Sequence, residues 1–291
     1  MDSDQSISVS VVILSMGNRA EQLNEAISSV YRQLACETEV ILVWNGIEAD
    51  QEVKADQHIS LSANVGIPAG RNHGASFATS ELIMFLDDDA KIITSDLLAT
   101  AVTRFRNEDS LGVVALRILD EFGATSRRHI PRLGSKSAEI SGKTAGFLGG
   151  ACIVRKKAWD EVNGYSGDLF YGMEETDLSW RIIDAGWDIF YDADLKVEHP
   201  HVKPSRHSEG IRLTARNRVW IAKSNLPAIL VPIYILNWLF ISILRNLQSP
   251  RSLKSILLGI YQGLGKNPLE RTVMKWKTVA TLCRIGRPPI I

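Results

Sequence analysis

Leu82-Ile83-Met84-Phe85-Leu86-Asp87-Asp88-Asp89 is the most informative stretch of this chain. Five consecutive apolar residues read as a strand buried on both faces, the pattern of a parallel sheet covered by helices. The strand stops at three adjacent carboxylates, and ligands of such sheets bind outside the carboxyl ends of the strands. Upstream, Ser8–Leu14 (SVSVVIL) and Val40–Trp44 (VILVW) read as two more buried strands, the second halted by Asn45-Gly46. Between them Leu23, Ala26, Ile27, Val30 and Leu34 recur at helical spacing. Gly66–Arg71 reads as a loop entering a small-residue helix near residues 72–79, Asp96–Phe105 as a helix capped by Ser95 or Asp96, and Gly112–Leu119 as a strand. Downstream come a strand over Phe147–Val154 bent by Gly149-Gly150, a helix over Arg155–Val162 and a helix over Glu174–Ala185. Short strands follow at Asp188–Tyr191 and Lys196–Glu198, then a long basic helix over Ser205–Ser224. Asp120–Lys143, polar and basic at Arg127, Arg128 and Arg132, is long for a loop and reads as a lid or a short hairpin. The alternation predicts an α/β, doubly wound, mostly parallel sheet over residues 1–204, with a C-terminal helical extension over 205–291.

Composition narrows the class. A chain of 291 residues, 45% hydrophobic and 23% charged, can bury a full core, which excludes disorder, collagen-like repeats and a small disulfide scaffold. The balance of 33 basic and 33 acidic residues conceals two bodies of opposite charge. Residues 201–291 hold 15 Lys/Arg against 2 Glu, leaving the first 200 acidic. A basic segment of this kind addresses an anionic surface. Cys36, Cys152 and Cys283 show no CxxC spacing, and Met1–Gln5 lacks the basic and apolar regions of a secretory signal, so a reducing cytoplasmic setting is expected.

Three clusters carry chemistry. Adjacent Asp87, Asp88 and Asp89 repel one another, and a hard cation, Mg²⁺ or Mn²⁺, relieves that cost; the alternative is an acidic turn capping the next helix. Glu174, Glu175 and Asp177 open a helix, where acids complement the dipole. Equally, one of them could act as a general base with a raised pKa. His199, in Val197-Glu198-His199-Pro200-His201, reads either as a structural histidine or as a metal ligand.

The chain resembles glycosyltransferase family 2, the inverting nucleotide-sugar transferases of GT-A fold, through four motifs in order over about residues 8–220. Val11–Ser15 through Asn18-Arg19 is similar to the first strand and nucleotide loop, and Asn64-Val65-Gly66 through Gly70-Arg71-Asn72-His73-Gly74 to the nucleotide-side loop. Leu86–Asp89 is similar to the metal-binding DxD. Gly149-Gly150 and Glu174-Glu175-Thr176-Asp177 are similar to the acceptor-side glycines and the acidic "ED" motif. The resemblance implies that Asp87, Asp89 and His199 hold Mg²⁺ or Mn²⁺, and that Glu175 is the base. It implies that Ser15, Arg19, Trp44, Asn45, Asn64, Gly66, Arg71, Asp87 and Asp88 face the nucleotide-diphosphate sugar donor, with Arg71 near the base or ribose. Gly149, Gly150, Glu174 and Asp177 would face the acceptor, a saccharide or lipid-linked glycan precursor. Two departures stand out. Trp44 occupies the place of the aspartate that reads uracil in the family, so stacking replaces a hydrogen bond. Glu also stands in for the usual Asp at the base position.

Leu226–Leu244 is nineteen residues without a charge, interrupted by Pro227 and Pro232. Nine basic residues and one acid follow it, and exporting them runs against the positive-inside rule. In-plane or re-entrant attachment to the inner face of the cell membrane is therefore expected, with Arg245, Arg251 and Lys254 on anionic headgroups; a single span and burial in a soluble fold or oligomer interface are the alternatives. Arg212, Arg216, Arg218 and Lys223 belong to no recognisable nucleic-acid reader, and no nucleic-acid partner is expected. Two rival functions are weighed. A sugar-phosphate nucleotidylyltransferase would need a glycine-rich basic loop after the first strand, and Ser15–Arg19 is poor in glycine. A non-catalytic membrane-associated nucleotide-sugar-binding protein would have no use for Glu175.

Overall fold

The computed structural model describes residues 8–130, 138–201 and 209–290. Its first half follows the hydrophobic pattern with two shifts: the small-residue helix begins at Ile67, inside the expected loop, and ends at Ala75, and Leu34 lies exposed beyond the end of the first helix. β1 (Ser8–Ser15), α1 (Ala20–Tyr31), β2 (Glu37–Asn45), β3 (Gln57–Leu61), α2 (Ile67–Ala75) and β4 (Leu82–Asp87) form a parallel sheet ordered β3-β2-β1-β4. α1 buries Leu23, Ala26, Ile27 and Val30, the residues spaced for one helical face. α2 lies close on the opposite face of the sheet because Gly70 and Gly74 lack side chains. A Cβ there would stand 2.5 Å from Leu14 and 2.4 Å from Val12.

The second half mixes directions. β5 (Lys91–Ile92), α3 (Leu97–Asn107) and β6 (Leu111–Leu119) are followed by a 3₁₀ turn at Arg127–His129 and by β7 (Gly142–Lys143). β8 (Ala151–Arg155), α4 (Lys156–Glu161), α5 (Glu174–Ala185) and β9 (Asp188–Glu198) complete the sheet. β8 runs antiparallel between β4 and β6, and β9 is parallel to β6. Because β8 is reversed, its beginning lies beside the end of β4, with Leu86 opposite Ala151. Asp87, Gly150 and His199 therefore meet at one edge of the sheet.

Some boundaries depart from the sequence reading. β8 starts at Ala151 rather than Phe147, because Gly149-Gly150 form a turn before it. The two short strands expected over 188–198 are one strand, β9, whose register against β6 jumps from Leu116↔Asp192 to Arg117↔Lys196. The polar run that suggested a break is a bulge: Asp192 pairs with Arg104 (2.6 Å) and accepts from the Asp194 N–H (3.1 Å). In the expected lid, Arg132 lies outside the described residues, as does Ser205, the expected start of the basic helix.

Four helices follow: α6 (Gly210–Asn225), α7 (Leu230–Arg245), α8 (Pro250–Leu264) and α9 (Trp276–Arg284). They bury Trp220, Leu226, Tyr234, Met274 and Leu282 against Leu169, Met173 and Trp180 at α5. α8 approaches α6 through Gly259 and Gly263, where a Cβ would stand 2.3 Å from Arg212 O and 2.6 Å from Val219. The uncharged stretch becomes helical only at Leu230, after Pro227. Among the described residues no helix is long and apolar enough to cross a membrane, so the spanning alternative has no helix to carry it. α7 and α8 nevertheless expose Leu236, Phe240, Leu257, Tyr261 and Leu264.

Candidate active site

The sheet edge gathers the residues that the Asp triplet and His199 suggested. β4 ends at Asp87, and the tight turn after it returns the Ala90 N–H to the Asp87 carbonyl (3.0 Å). That turn sends the three carboxylates in different directions. Asp87 and Asp89 point at His199, whose Nε2 lies 3.6 Å from Asp87 Oδ2 and 3.1 Å from Asp89 Oδ1. Donor atoms of all three residues lie within 4.8 Å of one another. Two carboxylates and an imidazole at that spacing fit a divalent ion such as Mn²⁺ or Mg²⁺. Gly150 completes the cradle, since a Cβ on it would stand 2.0 Å from Asp87 Oδ2. Burial pulls the imidazole down, but Asp87 and Asp89 outweigh it and raise His199 to about 10. Burial likewise opposes the Asp87 charge, yet His199 and Arg71 hold that carboxyl well below the usual range.

Asp88 faces the other way. It accepts from Ser15 Oγ (2.7 Å) and pairs with Arg19 Nη1 (2.9 Å), which also pairs with Asp89. Burial raises Asp88 to about 6 against those two partners. Ser15 and Arg19, expected on the donor, thus brace the Asp turn to the end of β1.

Glu175 sits across the glycine pair from the cation site. Its Oε1 accepts from the Gly149 N–H at 3.2 Å. A Cβ on Gly149 would stand 2.2 Å from Arg71 Nη1, 2.9 Å from the Tyr165 hydroxyl and 3.0 Å from Glu175 Oε1. Only a glycine lets these groups converge. Arg71, expected near the base or ribose, is buried beneath Asp87, with Nη2 2.7 Å from Asp87 Oδ1. The guanidinium therefore braces the Asp87 carboxylate from below, beside the Gly149 turn. Arg71 Nη1, the Tyr165 hydroxyl and Glu174 Oε2 are buried without a hydrogen-bond partner among the described residues. Glu174 is 3% exposed, and burial followed by the charge of Glu175 raises it to about 8. Of the two adjacent glutamates Glu174 is thus the buried one, whereas Glu175 is half-buried and reaches the Gly149 turn.

On the nucleotide side, Asn45 donates to Asn64 Oδ1 (3.0 Å) and accepts from the Val65 N–H (3.0 Å). Gly66, at φ +85°, then turns the chain so that Ile67 N–H reaches Phe170 O (2.9 Å). Trp44, expected on the nucleotide side, is 2% exposed and donates from Nε1 to His58 (3.1 Å), so its ring packs in the core. Asp177, expected on the acceptor side, is 1% exposed and binds Arg181 (2.6 Å), Ser166 (2.7 Å) and Asn225 (2.7 Å), joining α5 to α6. Tyr165 and His129 went unnoticed in the sequence. The His129 ring lies 6.4 Å from that of His199. Each is one aromatic among many, and only folding brings it to this edge.

A doubly wound sheet with a carboxylate-histidine cluster at its edge and a second carboxylate across a glycine pair defines a GT-A glycosyltransferase. The chain belongs to glycosyltransferase family 2: the family description "Glycosyl transferase family 2" matches residues 10–162, and "N-terminal domain of galactosyltransferase" matches residues 130–207. A pre-mycofactocin glycosyltransferase of Mycobacterium tuberculosis is 27% identical over 208 residues, 65% of this chain and 42% of that protein. An N-acetylglucosaminyl-diphospho-decaprenol L-rhamnosyltransferase of the same organism is 31% identical over 81 residues, 28% of this chain and 26% of that protein. The chain thus spans less than half the length of these curated relatives. Among solved structures, S. aureus TarS 1–349 aligns with a TM-score of 0.62 at 16% identity, over 88% of this chain and 79% of that one. The mannosyltransferase PcManGT of Pyrobaculum calidifontis, in complex with GDP-Man and Mn²⁺, aligns at 0.57 and 18% identity, over 95% of this chain and 78% of that one.

Proposed function

We propose that this glycosyltransferase works by a metal-dependent, inverting displacement that moves a sugar from a nucleotide-diphosphate donor to a hydroxyl of a lipid-linked or other cell-envelope glycan precursor. One observation carries the reading: Glu175 lies across the Gly149-Gly150 pair from Asp87, Asp89 and His199, so a carboxylate and a set of cation ligands share one edge of the sheet. A Mg²⁺ or Mn²⁺ ion held by those three side chains would neutralise the departing diphosphate as a Lewis acid. The protein does the rest. Glu175 accepts the proton of the acceptor hydroxyl as that oxygen bonds to the anomeric carbon, and the bond from this carbon to the diphosphate oxygen breaks. A single displacement inverts the carbon and needs no covalent enzyme nucleophile. Arg71 and the Gly149 N–H fix Asp87 and Glu175, so the reactants meet a preset geometry.

The acceptor class draws support from the diphospho-decaprenol named for one relative and from the tail. α7 and α8 expose Leu236, Phe240, Tyr261 and Leu264 in the basic C-terminal segment, the composition of a helix pair lying in the interface of an anionic inner leaflet. A thermal-shift panel of UDP-, GDP- and dTDP-sugars with and without Mn²⁺ tests the donor class, since a ligand of the native state raises its stability. The expected result is a metal-dependent shift with at least one of them. With that donor, Glu175→Gln should retain binding and lose at least 100-fold in turnover; near-normal turnover would remove Glu175 from the base position.

A further inference from the structure

We propose that Asn217 is a positioning residue: from α6 it holds the Leu169–Met173 loop, and through that loop the carboxylate of Glu175. The inference rests on the reading of Glu175 as the base. The loop is under conformational strain. Phe170, Gly172 and Met173 have φ of +62°, +80° and +76°, and two of them are side-chain-bearing residues in a region that favours glycine. Met173 is also the residue before α5, and its side chain provides no cap to the first turn that carries Glu174 and Glu175. An external restraint must therefore hold the loop.

α6 supplies it. The Asn217 amide, fully buried, lies 2.9 Å from Leu169 O, 3.0 Å from Tyr171 O and 2.7 Å from Gly172 O. Its own Oδ1 is fixed by Arg216 Nε (3.0 Å), which orients the donor side toward the loop. Gly172 fits against the same helix, where a Cβ would stand 2.7 Å from Thr214 Oγ1. On its far side the loop accepts the Ile67 N–H at Phe170 O (2.9 Å), so it is clasped between α6 and the nucleotide-side loop. A side chain without a donor at 217 would take the α6 donor from the Tyr171 and Gly172 carbonyls, leaving Leu169 O with Arg216 Nη2 (3.2 Å) and the Tyr171 N–H (2.7 Å), and would release the left-handed residues. The base would then lose its height above the sheet edge while Asp87, Asp89 and His199, on other elements, keep theirs.

Hydrogen exchange of the full chain reads this directly. In Asn217→Ala, amides of residues 169–177 should exchange at least 10-fold faster than in the wild type, while those of β1, β4 and α8 stay within 2-fold. Calorimetric affinity for Mn²⁺ alone should also stay within 2-fold. Asn217→Asp, the same shape without the amide donor, should match Asn217→Ala. With the nucleotide sugar selected by the donor panel, both should lower kcat at least 10-fold and leave KM within 2-fold. Unchanged exchange over 169–177, acceleration spread evenly through the chain, or wild-type behaviour of Asn217→Asp would each overturn the proposal. If Asn217→Ala fails to fold, Asn217→Ser keeps one donor and should accelerate only the 169–177 amides, by 2- to 5-fold; no acceleration there would also overturn it. A loop that loosens as expected, together with normal turnover in Glu175→Gln, would instead locate the failure in the assignment of the base.

Discussion

Asp87, Asp88 and Asp89 are chemically identical neighbours, yet the turn after β4 gives them different partners. Asp87 and Asp89 meet His199, and Asp88 meets Ser15 and Arg19. Asp89→Ala should therefore abolish the Mn²⁺ dependence of nucleotide-sugar affinity, measured by calorimetry with and without the ion; an unchanged dependence would refute the cation site. Glu174 gives a pH prediction. Burial and the charge of Glu175 lift it from 4.5 to about 8, so between those values the native state keeps a proton that the unfolded chain releases. Its contribution to stability is complete below the lower value and is lost as the pH rises through the upper one. Glu174→Gln should accordingly melt higher relative to the wild type at pH 8.5 than at pH 5, and the reverse trend in melting curves would contradict the raised pKa. The same residue shows what the sequence conceals. Glu174 and Glu175 are indistinguishable in print, and the rotation of the first turn of α5 decides which is buried.

At the scale of elements, the reversed strand β8 matters most. A parallel β8 would deliver its far end to the edge, whereas the antiparallel one delivers the Gly149-Gly150 turn that precedes it. Gly150→Ala should push Asp87 out of place and weaken Mn²⁺ binding at least 10-fold, at a stability cost of about 1–3 kcal/mol for the overpacked contact. Calorimetry and denaturant melts measure the two effects, and undiminished Mn²⁺ affinity would show that the glycine is not needed for the cradle. Hydrophobic patterning found β1, β2 and β4, because strands buried on both faces leave continuous apolar runs. It found the span of α5 as well, because Gly186 closes a helix with an apolar face. It split β9 in two because a bulge places polar residues inside a strand.

The whole molecule couples an acidic catalytic half to a basic helical one that shares its core. Deleting the tail would strip Tyr234, Met274 and Leu282 from their packing around Trp180, so surface substitutions test the membrane reading more cleanly. Leu236→Asp with Phe240→Asp, both exposed on α7, should reduce co-sedimentation with phosphatidylglycerol vesicles at least 10-fold and leave Mn²⁺ affinity unaltered; equal sedimentation would end that reading. The sequence alone determined the sheet's parallel half, the carboxylates at the end of β4, the glycine pair, the acidic helix start and the division of charge, since each is written in local pattern or composition. Tertiary structure decided that Trp44 faces the core, that Arg71 lies under Asp87, that Asp177 ties two helices together and that Asn217 reaches the Leu169–Met173 loop. Those facts depend on which way a side chain points once distant segments have met, and a linear pattern carries no record of that direction.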